Sequence, residues 1–106
     1  MFYIFGFYKF KRLSGLKILK KTFEENLKKL YVRGTIIFSK EGINGTISGK
    51  KNNVQQVINI LKNICKIKKF DSENISTSNF QPFHRGKIKI KNEVVPIGIN
   101  ILPSQK

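Results

Sequence analysis

The chain has 106 residues, 40% of them apolar, and its 21 Lys and Arg against 6 Asp and Glu leave a formal charge of +15. That length makes one domain of ordinary size, able to build a core without covalent staples, and the lone Cys65 excludes an intrachain disulfide framework or a cysteine-based zinc cluster. No apolar run approaches the ~18–20 residues of a membrane-spanning helix. The aromatic opening Met1–Phe10 lacks the basic start and small-residue cleavage site of a secretory signal. The expectation is a cytoplasmic protein with no membrane partner.

Eighteen of the basic residues are Lys and three are Arg, in a chain also rich in Asn and Ile. A coding bias toward A/T-rich codons gives the same composition, so part of the excess serves solubility alone. Even discounted, this charge on a small domain sets up a field that attracts polyanions, nucleic acid first among them. Residues 1–53 carry +9 and residues 54–106 carry +6, so the excess is spread rather than held in one tail.

Tyr3–Arg12, dense in Phe and Tyr, predicts a strand partly covered on both faces, with Phe5, Phe7 and Lys9 on one side and Ile4, Tyr8 and Phe10 on the other. Ser14 is the candidate N-cap of a helix. Its apolar positions Leu16, Leu19, Phe23, Leu27 and Leu30 step by three or four, and Gly34 is expected to end the helical stretch. Gly34–Ser39 and Thr46–Ser48 read as strands around the turn cluster Glu41-Gly42-Ile43-Asn44-Gly45, which predicts a hairpin. A second helix over Asn52–Lys66, capped by Asn52 or Asn53, carries the stripe Val54, Val57, Ile58, Leu61, Ile64 and Cys65. Asp71–Phe80 holds a short polar strand candidate, Glu73-Asn74-Ile75-Ser76-Thr77-Ser78, and Gly86–Lys91 predicts a strand in which Ile88 and Ile90 alternate with Lys87, Lys89 and Lys91. Val94–Ile99 continues extended, with Pro96 suited to a sheet edge or a chain exit. This order predicts an α+β, ferredoxin-like (acylphosphatase-like) βαββαβ sandwich with an extra C-terminal strand: one antiparallel sheet with both helices on one face. Residues 1–100 form the domain and 101–106 begin a linker.

Little in the chain suits catalysis. Cys65 falls on the apolar stripe of the second helix, where a small buried hydrophobe belongs. His84 has no second His and no neighbouring acid for a metal, and the carboxylates show no paired spacing. No catalytic residue, metal site or cofactor is expected here. The segment Lys40–Gly49 is the most informative. It reads either as a hairpin whose geometry demands Gly and Asn, or as a loop in which Gly42, Asn44 and Gly45 present backbone N–H groups, with Lys40, to a phosphate. No Gly-Lys-Ser/Thr enters a following helix, so it is not a Walker-type loop. In the run Phe83–Lys91, strand alternation puts Lys87, Lys89 and Lys91 on one face ~6.5–7 Å apart, near the spacing of phosphates along a strand. Phe83, His84 or Arg85 could stack on an unpaired base. The bland alternative is a solvated edge strand guarded by lysines.

Three blocks, Tyr8-Lys9-Phe10, Glu41-Gly42-Ile43-Asn44-Gly45-Thr46 and the stretch from Pro82 through His84 and Lys91 to Val95, are together similar to the N-terminal domain of the rhodanese-containing tRNA uridine hydroxylases. The resemblance runs from about Tyr8 to Ile99. It implies that the full-length protein hydroxylates the wobble uridine of bacterial tRNAs at carbon 5, in an oxygen-dependent reaction giving 5-hydroxyuridine. It also implies a following rhodanese domain whose active-site loop holds a cysteine that Cys65 does not match. On that reading the chain is an excised or truncated accessory domain, inactive alone, with the tRNA anticodon arm and the rhodanese domain as partners. Lys40, Gly42, Asn44, Gly45, Phe83, His84, Arg85, Lys87, Lys89 and Lys91 are the candidate RNA contacts. A domain that only packs on the rhodanese part is the alternative. The chain also resembles acylphosphatases weakly, but their phosphate-cradling Arg loop is missing: Leu13-Ser14-Gly15 follows Arg12.

Overall fold

Alternation along Phe2–Phe10 (β1) sends Phe5 and Phe7 into the core and turns Ile4, Tyr8 and Phe10 to the other face. In the computed structural model, which describes residues 1–91, there follow α1 (Leu16–Lys29), β2 (Arg33–Ser39), β3 (Gly42–Gly49), α2 (Lys51–Cys65), β4 (Ser72–Ser78) and β5 (Gly86–Ile90). The strands make one sheet in the order β4-β1-β3-β2-β5. β1, β2, β3 and β4 pair antiparallel, whereas β5 runs parallel to β2, Gly86 opposite Gly34 and Ile90 opposite Phe38. The sheet is therefore mixed rather than wholly antiparallel, because β5 joins the β2 edge after a connection that returns it to the starting end. The ferredoxin-like, acylphosphatase-like α+β architecture stands. Val94–Ile99 and the boundary at residue 100 lie outside the described residues.

Both helices cover one face. Leu19, Phe23 and Leu27 of α1 and Val54, Val57, Ile58, Leu61 and Cys65 of α2 are buried against Phe5, Phe7, Ile36, Phe38, Ile43, Ile47 and Ile88. Phe7 stacks on Phe5 and packs 4.9 Å, centroid to centroid, from Phe70. Core burial, rather than cap chemistry, places the helix starts. Gly15, in the left-handed region at φ 63, stands at the N-cap of α1 instead of Ser14, and Lys50 precedes α2 instead of Asn52 or Asn53, both without a side-chain cap bond. At its other end α1 stops before Gly34 is reached. Tyr31 takes φ 55, its N–H bonds the Lys28 carbonyl, and the Val32 N–H bonds the Leu27 carbonyl. That pair of bonds is the Schellman closure, sealed by burial of Leu27 and Val32.

The hairpin is tighter than its Gly/Asn cluster implies. Only Lys40 and Glu41 lie between β2 and β3, and Gly42 through Gly45 are ladder residues of a strand flanked on both sides. A side chain at Gly42 would overlap the Lys9 carbonyl, and a Cβ at Gly45 would sit 2.7 Å from the Thr35 carbonyl oxygen and 2.9 Å from the Phe7 ring. These glycines let three strands and an aromatic ring approach closely.

Candidate nucleic-acid interface

The loop reading of Gly42, Asn44 and Gly45 is corrected by this geometry. All three are buried, and their backbone lies within ladders to β1 and β2, so they form no N–H cradle facing solvent. Lys40, exposed in the turn itself, is the member of that group left at the surface.

The second candidate block behaves as its alternation predicts. Ile88 is buried against the helices, so Lys87 and Lys89 project from the opposite face, beside Thr35 and Ile37 of β2. Lys91 continues the line, its N–H bonded to the Phe38 carbonyl at 2.9 Å. Arg85 precedes it, its carbonyl accepting from the Gly34 N–H at 3.0 Å. Lys40, in the β2–β3 turn, lies past the paired register and beside the β1–α1 loop, its carbonyl accepting from the Leu13 N–H, so it stands apart from this row. Arg85, Lys87, Lys89, Lys91 and Lys40 are all exposed. From Arg85 to Lys91 the row spans about 20 Å at a strand's rise per residue. Among the described residues the one ion pair is Lys9 with Asp71 at 3.2 Å, so no member of the row is ion-paired to a described carboxylate.

The loop leading into β5 is tied to the sheet. The Arg33 guanidinium donates to the Phe83 carbonyl at 3.3 Å, and the Gln81 amide donates to the Ser48 carbonyl at 3.2 Å. Phe83, His84, Arg85 and Lys87 thereby line, with Thr35, one depression of about 360 Å³. On the other flank of His84 and Arg85 a second depression brings in Lys28, Tyr31 and Arg33, which no sequence motif marked. The signal that could have found Tyr31 is a bulky residue just after a helix's last turn, where Gly or Asn is favoured.

A larger cavity, about 900 Å³, lies at the opposite end between the β1–α1 loop and the β2–β3 turn, with Arg12, Ser14, Gly15, Lys40 and Glu41 on its walls. Two of that loop's amides are already used: the Lys11 N–H bonds the Glu41 carbonyl and the Leu13 N–H bonds the Lys40 carbonyl. Cys65 is buried, and burial pushes its thiol up to about 11 against a smaller opposing pull from Lys11, which makes it a poor nucleophile at neutral pH. Among the described residues no three His, Cys, Asp or Glu side chains gather around a possible metal. No helix there is long and apolar enough to cross a membrane.

Residues 2–94 match the family described as the UPF0176 acylphosphatase like domain. The chain belongs to that family. Over all 106 residues it is 54% identical to the tRNA uridine(34) hydroxylase of Pelagibacter ubique (strain HTCC1062), covering 35% of that protein. It is 33% identical over 95% of its length to the tRNA uridine(34) hydroxylase of Wolbachia sp. subsp. Brugia malayi (strain TRS), covering 37% of it. The chain thus spans about a third of the length of these curated relatives. Among solved structures, an acylphosphatase from Bacillus subtilis superposes with a TM-score of 0.55 at 14% identity, over 86% of this chain and 99% of that one. That likeness is one of fold.

Proposed function

We propose that this domain docks tRNA for a larger tRNA uridine(34) hydroxylase, acting in the cytoplasm and supplying no catalytic group itself. The observation that carries the reading is the exposed cationic row Arg85, Lys87, Lys89 and Lys91 along one sheet edge, none of them in an ion pair with a described carboxylate. Such a row neutralises successive backbone phosphates, which positions an RNA without reading its sequence. An anticodon arm offers duplex phosphates together with unstacked loop bases, and the depression at Phe83 and His84 adjoins the row where such a base could be received. The wobble uridine would then be presented to the rest of the protein, where the rhodanese cysteine and the oxygen-dependent step belong. The names of the relatives and their greater length support this division of labour.

The test is a titration of an anticodon stem-loop RNA at two salt concentrations. Binding that weakens steeply with salt is the expected result; no association in dilute buffer would end the proposal. A second reading, packing on the neighbouring domain, is favoured at the other edge, where Ile75 and Phe80 are 54% and 68% exposed and residues 70–84 contain no Lys or Arg.

A further inference from the structure

Tyr31 is held against its own backbone preference. It has φ 55 and its side chain is 82% exposed, so the core does not use the ring. A bulky residue in the left-handed region is strained. Lys66 takes the same conformation after α2, but there the cation is favoured by the helix C-terminus; Tyr31 has no such offset. The left-handed turn closes α1, but Gly or Asn would supply it at lower cost, and an exposed aromatic ring kept there at the expense of strain points to function.

What surrounds Tyr31 is a depression of about 510 Å³, bordered by Glu24, Lys28, Arg33, His84 and Arg85, a volume within the roughly 300–1,000 Å³ range of small-ligand sites. It lies on the α1 side of the β5 edge, and Arg85 at its rim is the first member of the cationic row. Arg33 reaches it with its guanidinium already fixed by the Phe83 carbonyl. Three cations, two flat rings and one carboxylate thus meet in an open site where the row ends. We propose that this depression takes one unpaired RNA nucleotide, its base stacked on the Tyr31 ring and its phosphate held by Arg33 and Arg85. Glu24 is the acceptor available to a base amino group, and His84 closes the side facing the row. The proposal rests on the tRNA-docking reading and adds to it a preference for single-stranded over duplex RNA.

The chain has no Trp, so its intrinsic fluorescence is that of Tyr3, Tyr8 and Tyr31, and stacking on the exposed ring should quench it. The experiment titrates wild type, Tyr31→Asn and Tyr31→Phe with a single-stranded RNA oligonucleotide and with a blunt RNA duplex of equal length, each at two salt concentrations. Asn tolerates the left-handed backbone, so the first variant removes the ring and keeps the turn. Expected is a loss of about fivefold to a hundredfold in single-strand affinity for Tyr31→Asn, together with loss of the quench. Its duplex affinity and salt slope should stay at the wild-type values, and Tyr31→Phe should behave as wild type. Unchanged single-strand binding by Tyr31→Asn would overturn the pocket while leaving the cationic row standing. Equal losses on duplex and single strand would overturn it as well. If wild type binds neither RNA at low salt, the docking reading itself falls.

Discussion

Replacing Lys87, Lys89 and Lys91 together by Ser removes three of the four cations running from Arg85 to Lys91, and leaves Ile88, the side chain that β5 buries, in place. All three lysines are exposed, so each change should alter stability by no more than about 0.5 kcal/mol. If each cation neutralises one phosphate, log K falls with log salt at about −0.9 per contact on duplex and −0.7 on single strand. Four contacts then predict about 50–150-fold weaker binding over a fourfold rise in salt, whereas the one left in the variant predicts only about threefold. Anisotropy of a labelled anticodon stem-loop across that range measures both slopes, and thermal melts by circular dichroism confirm that the variant is folded. A control triple, Lys17, Lys21 and Lys29 to Ser, removes the same charge from the exposed side of α1 and should leave the slope near wild type. Parallel slopes for wild type and the β5 variant would refute the row. So would a control that flattens the slope equally, because binding would then follow net charge rather than placement.

Three further outcomes follow from the geometry. The chain should hydrolyse an acyl phosphate no faster than buffer, since the Lys11 and Leu13 amides of the β1–α1 loop are spent on the β2–β3 turn; turnover above background would reverse that reading. Asp71 is held below its ordinary value of 3.8, first by the Phe10 N–H, against some desolvation, and then by Lys9. A depressed carboxylate stabilises the fold at neutral pH and loses that contribution as pH falls through 3.8 and below. Melting temperatures of wild type and Asp71→Asn should therefore differ at neutral pH and converge in acid, and a constant gap would contradict the linkage. Tyr31→Gly relieves a left-handed penalty of about 1–2 kcal/mol, offset by about 0.5–1 kcal/mol of glycine entropy, so the melting temperature should rise by roughly 4–8 °C per kcal/mol gained. A fall would show that the ring stabilises the fold after all.

Periodicity alone located the two helices and every described strand to within a few residues, except at one place. Gly42, Asn44 and Gly45 carry the composition of a turn, yet they occupy the strand between β1 and β2. The absence of a side chain serves both a turn and a crowded sheet centre, and a single sequence does not distinguish the two. The parallel pairing of β5 was equally hidden, because which edge a strand joins is decided by tertiary packing. The lysine alternation over residues 87–91 was legible, since it depends on local geometry only. Tyr31 and Arg33 were not, because they approach His84 solely through the Gly34–Gly86 register. Gly34 has the residue type expected at a helix stop, yet Tyr31, three residues earlier, takes the left-handed turn.

A coding bias can account for the amount of lysine in this chain but not for where it stands. Exposed lysines stand on α1 and at residues 50, 51, 66, 68 and 69, yet residues 70–84 contain no Lys or Arg and include Asp71 and Glu73, while the next strand places a lysine at every outward position. These two segments form opposite edges of a single sheet. Within the sheet, then, β5 carries Lys87 and Lys89 whereas β4 carries no Lys or Arg. The β4 edge, with Ile75 and Phe80 exposed and no Lys or Arg in the strand itself, would suit protein contact, where burying a lysine would be costly. An RNA held along β5 and a protein domain seated against β4 would not compete for the same surface, so both partners could engage at once.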